Sequence, residues 1–224
     1  MFKAVLFDLD NTLTDFMHMK EQSCNAAIRA MIDAGLNLNE KRAMKELFMQ
    51  LKESGMEDPK IFQKFLKKKT GKIDYRVLSN AITAYRRAQL GLLCPYPKTI
   101  NTLIKLKEKG LKLGIVSDAP KLKAWLRLSE MNIVEFFDFV VALEDTGKLK
   151  PHRLPFEAAA KKVGFKANEI LFVGDNPGRD IKGAKNAGMR AALAKYGQVI
   201  KGNIKADFEL NDISDIIKVI EKEN

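Results

Sequence analysis

Residues 2–13 read Phe-Lys-Ala-Val-Leu-Phe-Asp-Leu-Asp-Asn-Thr-Leu, an apolar run that ends in two carboxylates, Asp8 and Asp10, with Leu9 between them. The run has the character of a buried strand, and in an extended chain alternate side chains point the same way. Asp8 and Asp10 therefore converge if the strand continues, whereas Asn11 and Thr12 are residues that loosen it into a turn. Two adjacent acids at a strand end repel, and a cation, a proton or a phosphate-binding site relieves them. A plain Asp-Asn turn after a strand accounts for the same letters. The rest of the chain has to decide.

Residues 15–94 carry no strand signal. Helical stripes run through Cys24, Ala27, Ile28, Met31 and Ile32, closed by Gly35, and through Met44, Leu47, Phe48 and Leu51, with Asn39 as cap and Ser54-Gly55 as stop. A third runs through Ile61, Phe62, Phe65 and Leu66, with Asp58 as the expected cap and Pro59 at the first helical position. A fourth, capped by Asp74, runs through Val77, Leu78, Ala81, Ile82 and Tyr85 and ends near Gly91. Amphipathic helices on short turns predict a small bundle, and their stripes are core.

From Pro95-Tyr96-Pro97 onward, helix and strand alternate. Helices are expected over 99–109, 122–131, 155–163, 180–187 and 213–221, and strands over 111–116, 137–142, 170–173, 189–194 and 207–210. With the opening strand, this predicts an α/β fold: a doubly wound, Rossmann-like parallel sheet with the helical bundle inserted after its first strand. Residues 1–14 with 95–224 form the expected core, and residues 15–94 the expected helical cap. Ligands of such sheets bind outside the carboxyl ends of the strands. That places Asp8, Asp10, Ser117, Asp118 and Asp175 at one edge.

A chain of 224 residues, 46% hydrophobic and 30% charged, holds one ample core or a core with an insertion. No apolar run approaches the roughly 20 residues that cross a bilayer, and no signal-peptide pattern opens the chain. Cys24 and Cys94 form no CxxC pair, so neither a disulfide framework nor a zinc site is indicated, and a cytoplasmic enzyme is expected. Of the net charge of +11, residues 15–94 carry +6 (15 Lys and Arg against 9 Asp and Glu), and the remainder +5 (24 against 19). Beyond Lys67-Lys68-Lys69 there is no basic cluster, no arginine-rich arm and no basic run interleaved with aromatics. Charge spread this way predicts attraction for small anions, with neither nucleic acid nor membrane as partner. Oligomeric state is not written in the sequence.

Asp8, Asp10, Asp175 and Asp180 together are dense enough to require a divalent cation, and hard oxygen ligands that leave room for water and a phosphate suit Mg2+. Ser117 ends a strand with a hydroxyl that can donate to a phosphoryl oxygen, and Lys150 offers an ammonium. A cation, a hydroxyl and an ammonium around a carboxylate nucleophile are the parts of phosphoryl transfer. Each part has a plainer reading: a turn at Asp175-Asn176-Pro177-Gly178, a helix cap at Asp180, a strand terminator at Ser117-Asp118, a solvated charge at Lys150.

Taken in order, Asp8-Leu9-Asp10-Asn11-Thr12, the strand ending in Ser117, Lys150-Pro151, and Gly174-Asp175-Asn176-Pro177-Gly178-Arg179-Asp180 resemble the motifs of the haloacid dehalogenase-like (HAD) hydrolase superfamily, in the branch with a helical cap after the first motif. The resemblance covers essentially the whole chain. It implies Asp8 as the nucleophile that forms an aspartyl-phosphate and Asp10 as general acid, then general base. It further implies Mg2+ held by Asp8, the Asp10 carbonyl and Asp175, with Asp180 bound directly or through water. Ser117, Asp118 and Asn11 would bind substrate phosphate, and Lys150, with Lys148 as the competing lysine, would neutralise charge. The expected activity is Mg2+-dependent hydrolysis of a small phosphate monoester. Phosphomutase on a sugar phosphate, dehalogenase and non-catalytic binding protein are the alternatives. Asp10 argues against a dehalogenase, because hydrolysis of a carbon–halogen bond protonates no leaving group. Phe16, Met17, His18, Met19 and Lys20 are the expected substrate contacts, and sugar phosphates, phosphoglycolate, glyceraldehyde phosphate and nucleotides all remain open. His18 and His152 are expected to be surface or loop residues.

Overall fold

The computed structural model describes residues 1–223. In chain order it contains strand β1 (Ala4–Phe7), helices α1 (Phe16–Asp33), α2 (Glu40–Ser54), α3 (Ile61–Thr70), α4 (Tyr75–Leu92) and α5 (Thr99–Glu108), β2 (Lys112–Val116), α6 (Lys121–Glu130) and β3 (Phe139–Val141). Then follow α7 (Leu143–Thr146), α8 (Arg153–Val163), β4 (Ile170–Gly174), a π turn (Pro177–Ile181) running into α9 (Lys182–Asn186), β5 (Arg190–Ala194), β6 (Phe208–Leu210) and α10 (Asp215–Glu223). These elements form two compact units, Met1–Phe16 with Cys94–Asn224, and Met17–Leu93.

The first unit is a six-stranded sheet in the order β3-β2-β1-β4-β5-β6, parallel throughout. β1, β2 and β4 read AVLF, KLGIV and ILFVG, without polar alternation, as strands covered on both faces must. Right-handed crossovers place α5 and α6, on the path β1-β2-β3, on one face, and α8 and α9, on the path through β4 and β5, on the other. Ala4, Leu6 and Phe172 pack with Phe156 and Ala159 of α8 and Ala184 of α9, and the Phe156 and Phe172 rings meet edge to face at 4.9 Å. The direction of winding reverses between β1 and β4, the switch point at whose carboxyl ends ligands of doubly wound sheets bind. Phe7 lies opposite Ile115 of β2 and Val173 of β4, so Asp8, Ser117 and Asp175 leave the sheet at neighbouring positions.

The second unit is helical. Ile28, Met31, Leu47, Leu51 and Phe65 are fully buried, one stripe from each of α1, α2 and α3, with Val77, Leu78 and Ala81 of α4 completing the core. Asn39 caps α2 by accepting from Arg42 N, and Asp74 caps α4 by accepting from Arg76 N and Val77 N.

Three local expectations are corrected. α3 begins at Ile61, two residues later than the Asp58-Pro59 pair predicts, because Asp58 accepts from Lys60 N at 2.9 Å and from Lys64 Nζ at 2.6 Å and so closes a turn of its own. α8 begins at Arg153, with His152 Nδ1 accepting from Leu154 N at 3.2 Å; Pro155 falls in the first turn, where its missing N–H costs nothing. The helix expected over 180–187 runs as α9 only from Lys182, because Asp180 sits inside the π turn, whose cap is Asn176, with Oδ1 accepting from Gly178 N and Arg179 N.

Candidate active site

The carboxyl edge of the sheet gathers Asp8, Asp175, Asp180, Ser117 and Lys150, all buried. Asp8 follows β1 and is held by its N–H to Val173 O at 2.8 Å, and Ser117 follows β2, with its N–H to Val141 O at 2.9 Å. β4 ends in Gly174 because a Cβ there would land on the Asp180 side chain. Asp180 reaches inward from the π turn, its Oδ2 accepting from Asn176 N at 2.9 Å. Single π turns recur at functional sites because they redirect a side chain without ending the helix.

Lys150 comes from the segment between α7 and α8. Its ammonium lies 2.7 Å from Asp8 Oδ1, 2.7 Å from Asp180 Oδ1 and 3.0 Å from Val116 O, so all three N–H donors are used. Its backbone N–H is fixed by Asp118 Oδ1 at 2.9 Å, and the other Asp118 oxygen pairs with Arg179 at 3.3 Å. Burial favours the neutral amine, but Asp180, Asp8 and Asp118 override it and hold the Lys150 ammonium well above its ordinary range.

One ammonium does not balance these acids. Asp8, Asp175 and Asp180 offer ligand oxygens that all lie within 4.8 Å of one another. Burial, then the Asp8 and Asp180 charges, push the Asp175 carboxyl up to about 8. Burial likewise raises Asp180 against the pull of Lys150. Asp175 Oδ1 is buried with no hydrogen-bond partner among the described residues. A buried carboxylate oxygen left open beside two further acids, all hard oxygen donors, fits a divalent cation such as Mg2+.

Asp10 lies at the rim. Its Oδ2 accepts from the Arg127 guanidinium at 2.9 Å, and Arg127 is only 3% exposed. Asn11 takes the left-handed conformation, φ 59°, which Asn tolerates better than most residues. Tyr196 donates to Thr12 O at 2.9 Å, and Gly197 packs so closely that a Cβ would fall on the Asn11 carbonyl. Of the expected substrate contacts, Phe16 lies under the Arg127 guanidinium, 4.5 Å from Cζ to the ring centroid. Met17, His18, Met19 and Lys20 belong to the second unit, where Lys20 donates to Tyr85 Oη at 2.9 Å. Lys148 is exposed, unlike Lys150.

Sequence reasoning missed Arg127, Arg179 and Tyr196. Arg127 carried a readable signal: a guanidinium inside the buried stripe of α6, between Ala124 and Leu128. Arg179 gave none, because, of its neighbours, Asp8 and Asp118 come from two other parts of the chain, and Asp175 and Asp180 from the motif itself.

A doubly wound sheet with a carboxylate after its first strand, a lysine bridging two acids and an open buried oxygen beside them defines a hydrolase of the phosphoryl-transfer type. The chain belongs to the haloacid dehalogenase-like hydrolase family, which matches residues 5–194. It is 36% identical to the glyceraldehyde 3-phosphate phosphatase of Methanocaldococcus jannaschii over 98% of this chain and 97% of that protein. Among solved structures it resembles a HAD phosphatase from Thermococcus onnurineus, at 26% identity and TM-score 0.69, covering 98% of each chain. The HAD-hydrolase YfnB from Bacillus subtilis, in a form bound to magnesium, shares the fold at 20% identity and TM-score 0.72 over 98% of this chain and 99% of that one.

Proposed function

We propose that this chain is a Mg2+-dependent phosphatase that hydrolyses a small phosphate monoester through an aspartyl-phosphate on Asp8. The observation that carries this reading is the Lys150 ammonium, buried 2.7 Å from both Asp8 and Asp180 beside the open oxygen of Asp175. Met1–Phe16 with Cys94–Asn224 is then the catalytic core and Met17–Leu93 the cap. Asp8, Asp175 and Asp180, with the Asp10 backbone carbonyl, would hold Mg2+, whose charge allows an anionic carboxylate to meet an anionic phosphate.

Lys150 holds Asp8 Oδ1 and leaves Oδ2 to attack phosphorus. As the Oδ2–P bond forms, the ester P–O bond breaks and its electron pair leaves on the alkoxide, which takes a proton from Asp10. Asp10, now a carboxylate, takes a proton from water, and the water oxygen attacks the same phosphorus. The Asp8–P bond then breaks, inorganic phosphate leaves, and Asp8 is a carboxylate again. Ser117 Oγ accepts from Ala119 N at 3.1 Å, and its own hydrogen would donate to a phosphoryl oxygen. Asn11 is the second phosphate contact. Asp118 is better read as a positioning residue than as a phosphate ligand, because both its oxygens are engaged, one with Lys150 N and one with Arg179.

Glyceraldehyde 3-phosphate, the substrate in the relative's name, is the first substrate to test. Unpaired Cys24 and Cys94 suit the reducing cytoplasm. Among the described residues no helix is long and apolar enough to cross a membrane. The test is Mg2+-dependent release of phosphate from glyceraldehyde 3-phosphate and from p-nitrophenyl phosphate, with Asp8→Asn as comparison. Turnover that survives Asp8→Asn overturns the mechanism, and turnover of the nitrophenyl ester alone overturns the substrate assignment.

A further inference from the structure

We infer that Arg127 is a positioning residue that aims the Asp10 carboxyl for its proton transfers, an inference that rests on the phosphatase reading above. A guanidinium in the buried stripe of a helix loses its hydration, a penalty that stands unless bonds to it make up the loss. An α6 built only to cover the sheet would carry an apolar residue at this position, as it does at Ala124 and Leu128. Arg127 instead donates from NH1 to Asp10 Oδ2 at 2.9 Å across 117 positions of sequence. The Phe16 ring lies against the guanidinium, 4.5 Å from Cζ, a cation–π contact that sets the plane of the group.

The surroundings explain why the backbone alone does not do this work. The turn that carries Asp10 is pinned by hydroxyls donating to carbonyls: Thr14 Oγ1 to Cys94 O at 2.7 Å, and Tyr196 Oη to Thr12 O at 2.9 Å. Those contacts fix the loop, and the Arg127 guanidinium acts on the Asp10 carboxyl itself. The Asp10 side chain is 22% exposed, while Arg127 beside it is 3% exposed, so the pair lies where the buried guanidinium meets the rim of the site. A general acid works only within hydrogen-bond reach of the leaving oxygen, and a misplacement of about 1 Å costs on the order of 100-fold in rate.

A merely structural arginine, tying α6 to the first loop, would affect all substrates alike. A positioning role for the acid predicts discrimination by leaving group. An alkoxide must be protonated as it departs, whereas p-nitrophenolate leaves without a proton. Arg127→Met keeps the buried stem and removes the donors. It is expected to lower kcat about 100-fold on glycerol phosphate, or on whichever alkyl ester the wild type turns over best, with KM little changed. On p-nitrophenyl phosphate the loss is expected to be less than about tenfold. Arg127→Lys, which keeps a donor without the planar fork, should recover part of the alkyl-ester rate. In an Asp10→Asn background Arg127→Met should cost nothing further, since the two act as one unit. Equal losses on both esters, additive losses in the double variant, or an unchanged alkyl-ester kcat would each overturn the inference. Should Arg127→Met fail to fold by circular dichroism, the same comparisons are made on Arg127→Lys. Failure of the phosphatase reading shows separately, as wild-type turnover indifferent to Asp8→Asn.

Discussion

Replacing Lys150 by Met is the sharpest probe of the buried acids. The Met side chain fills most of the space of the lysine stem, so the change removes charge without opening a large cavity. What it removes is an ammonium 2.7 Å from Asp8, 2.7 Å from Asp180 and 3.0 Å from Val116 O, at a residue only 3% exposed. Removing one partner of a buried ion pair costs about 3–5 kcal/mol, because the surviving charge stays desolvated. At about 2–4 °C per kcal/mol for a protein of this size, Lys150→Met should melt about 6–20 °C below the wild type at pH 7 in EDTA. The deficit has a sign in pH. Burial raises the Asp180 carboxyl, so it takes up a proton sooner than an ordinary carboxylate as pH falls, and the penalty should shrink in acid. Mg2+ should also reduce it, because a cation among the acids no longer competes with the ammonium. The assay is thermal unfolding by circular dichroism at pH 7 and pH 5, each with EDTA and with Mg2+. A variant that melts within about 2 °C of the wild type at pH 7 in EDTA refutes the charge-balance reasoning.

The Asp175 carboxyl, pushed up to about 8 from 3.8, keeps a proton in the folded state that the unfolded chain releases between those values. Its contribution to stability is therefore complete below about 4 and is lost as pH rises through about 8. In EDTA the urea midpoint of the wild type should fall between pH 5 and pH 8, and Asp175→Asn should flatten that fall while abolishing stabilisation by Mg2+; parallel profiles would contradict it. Gly197→Ala places a methyl group on the Asn11 carbonyl, where only backbone can yield. A cost of about 1–3 kcal/mol is expected, with a lower kcat as the Asp10-Asn11 turn shifts, measured by urea unfolding and phosphate release. Asp8→Asn should lower Mg2+-dependent turnover by at least about 10³-fold at unchanged fold, read by steady-state kinetics and circular dichroism.

The helical stripes of residues 17–93 were legible because a period near 3.6 is a local property of the chain. Ile28, Met31, Leu47, Leu51 and Phe65, read as one-sided, are the buried core of the second unit. The strands were equally plain: continuous apolar runs ending in Asp8, Ser117 and Asp175 can only lie in a sheet covered on both faces. Boundaries went wrong where side chains bond locally. Asp58 closes its own turn instead of capping α3, and the helix expected from Asp180 begins at Lys182 because Asn176 caps a π turn ahead of it.

Sequence alone thus determined the elements, their alternation and the edge at which the acids emerge, since these follow from periodicity and from chain direction in a parallel sheet. Tertiary structure decided the partners. That Lys150 bridges Asp8 and Asp180, that Asp118 holds the Lys150 backbone and Arg179, and that Arg127 meets Asp10 across 117 residues are consequences of how β1, β2, β4 and α6 are brought together. No local pattern encodes them, because the free energy of a buried charge depends on which groups surround it in space.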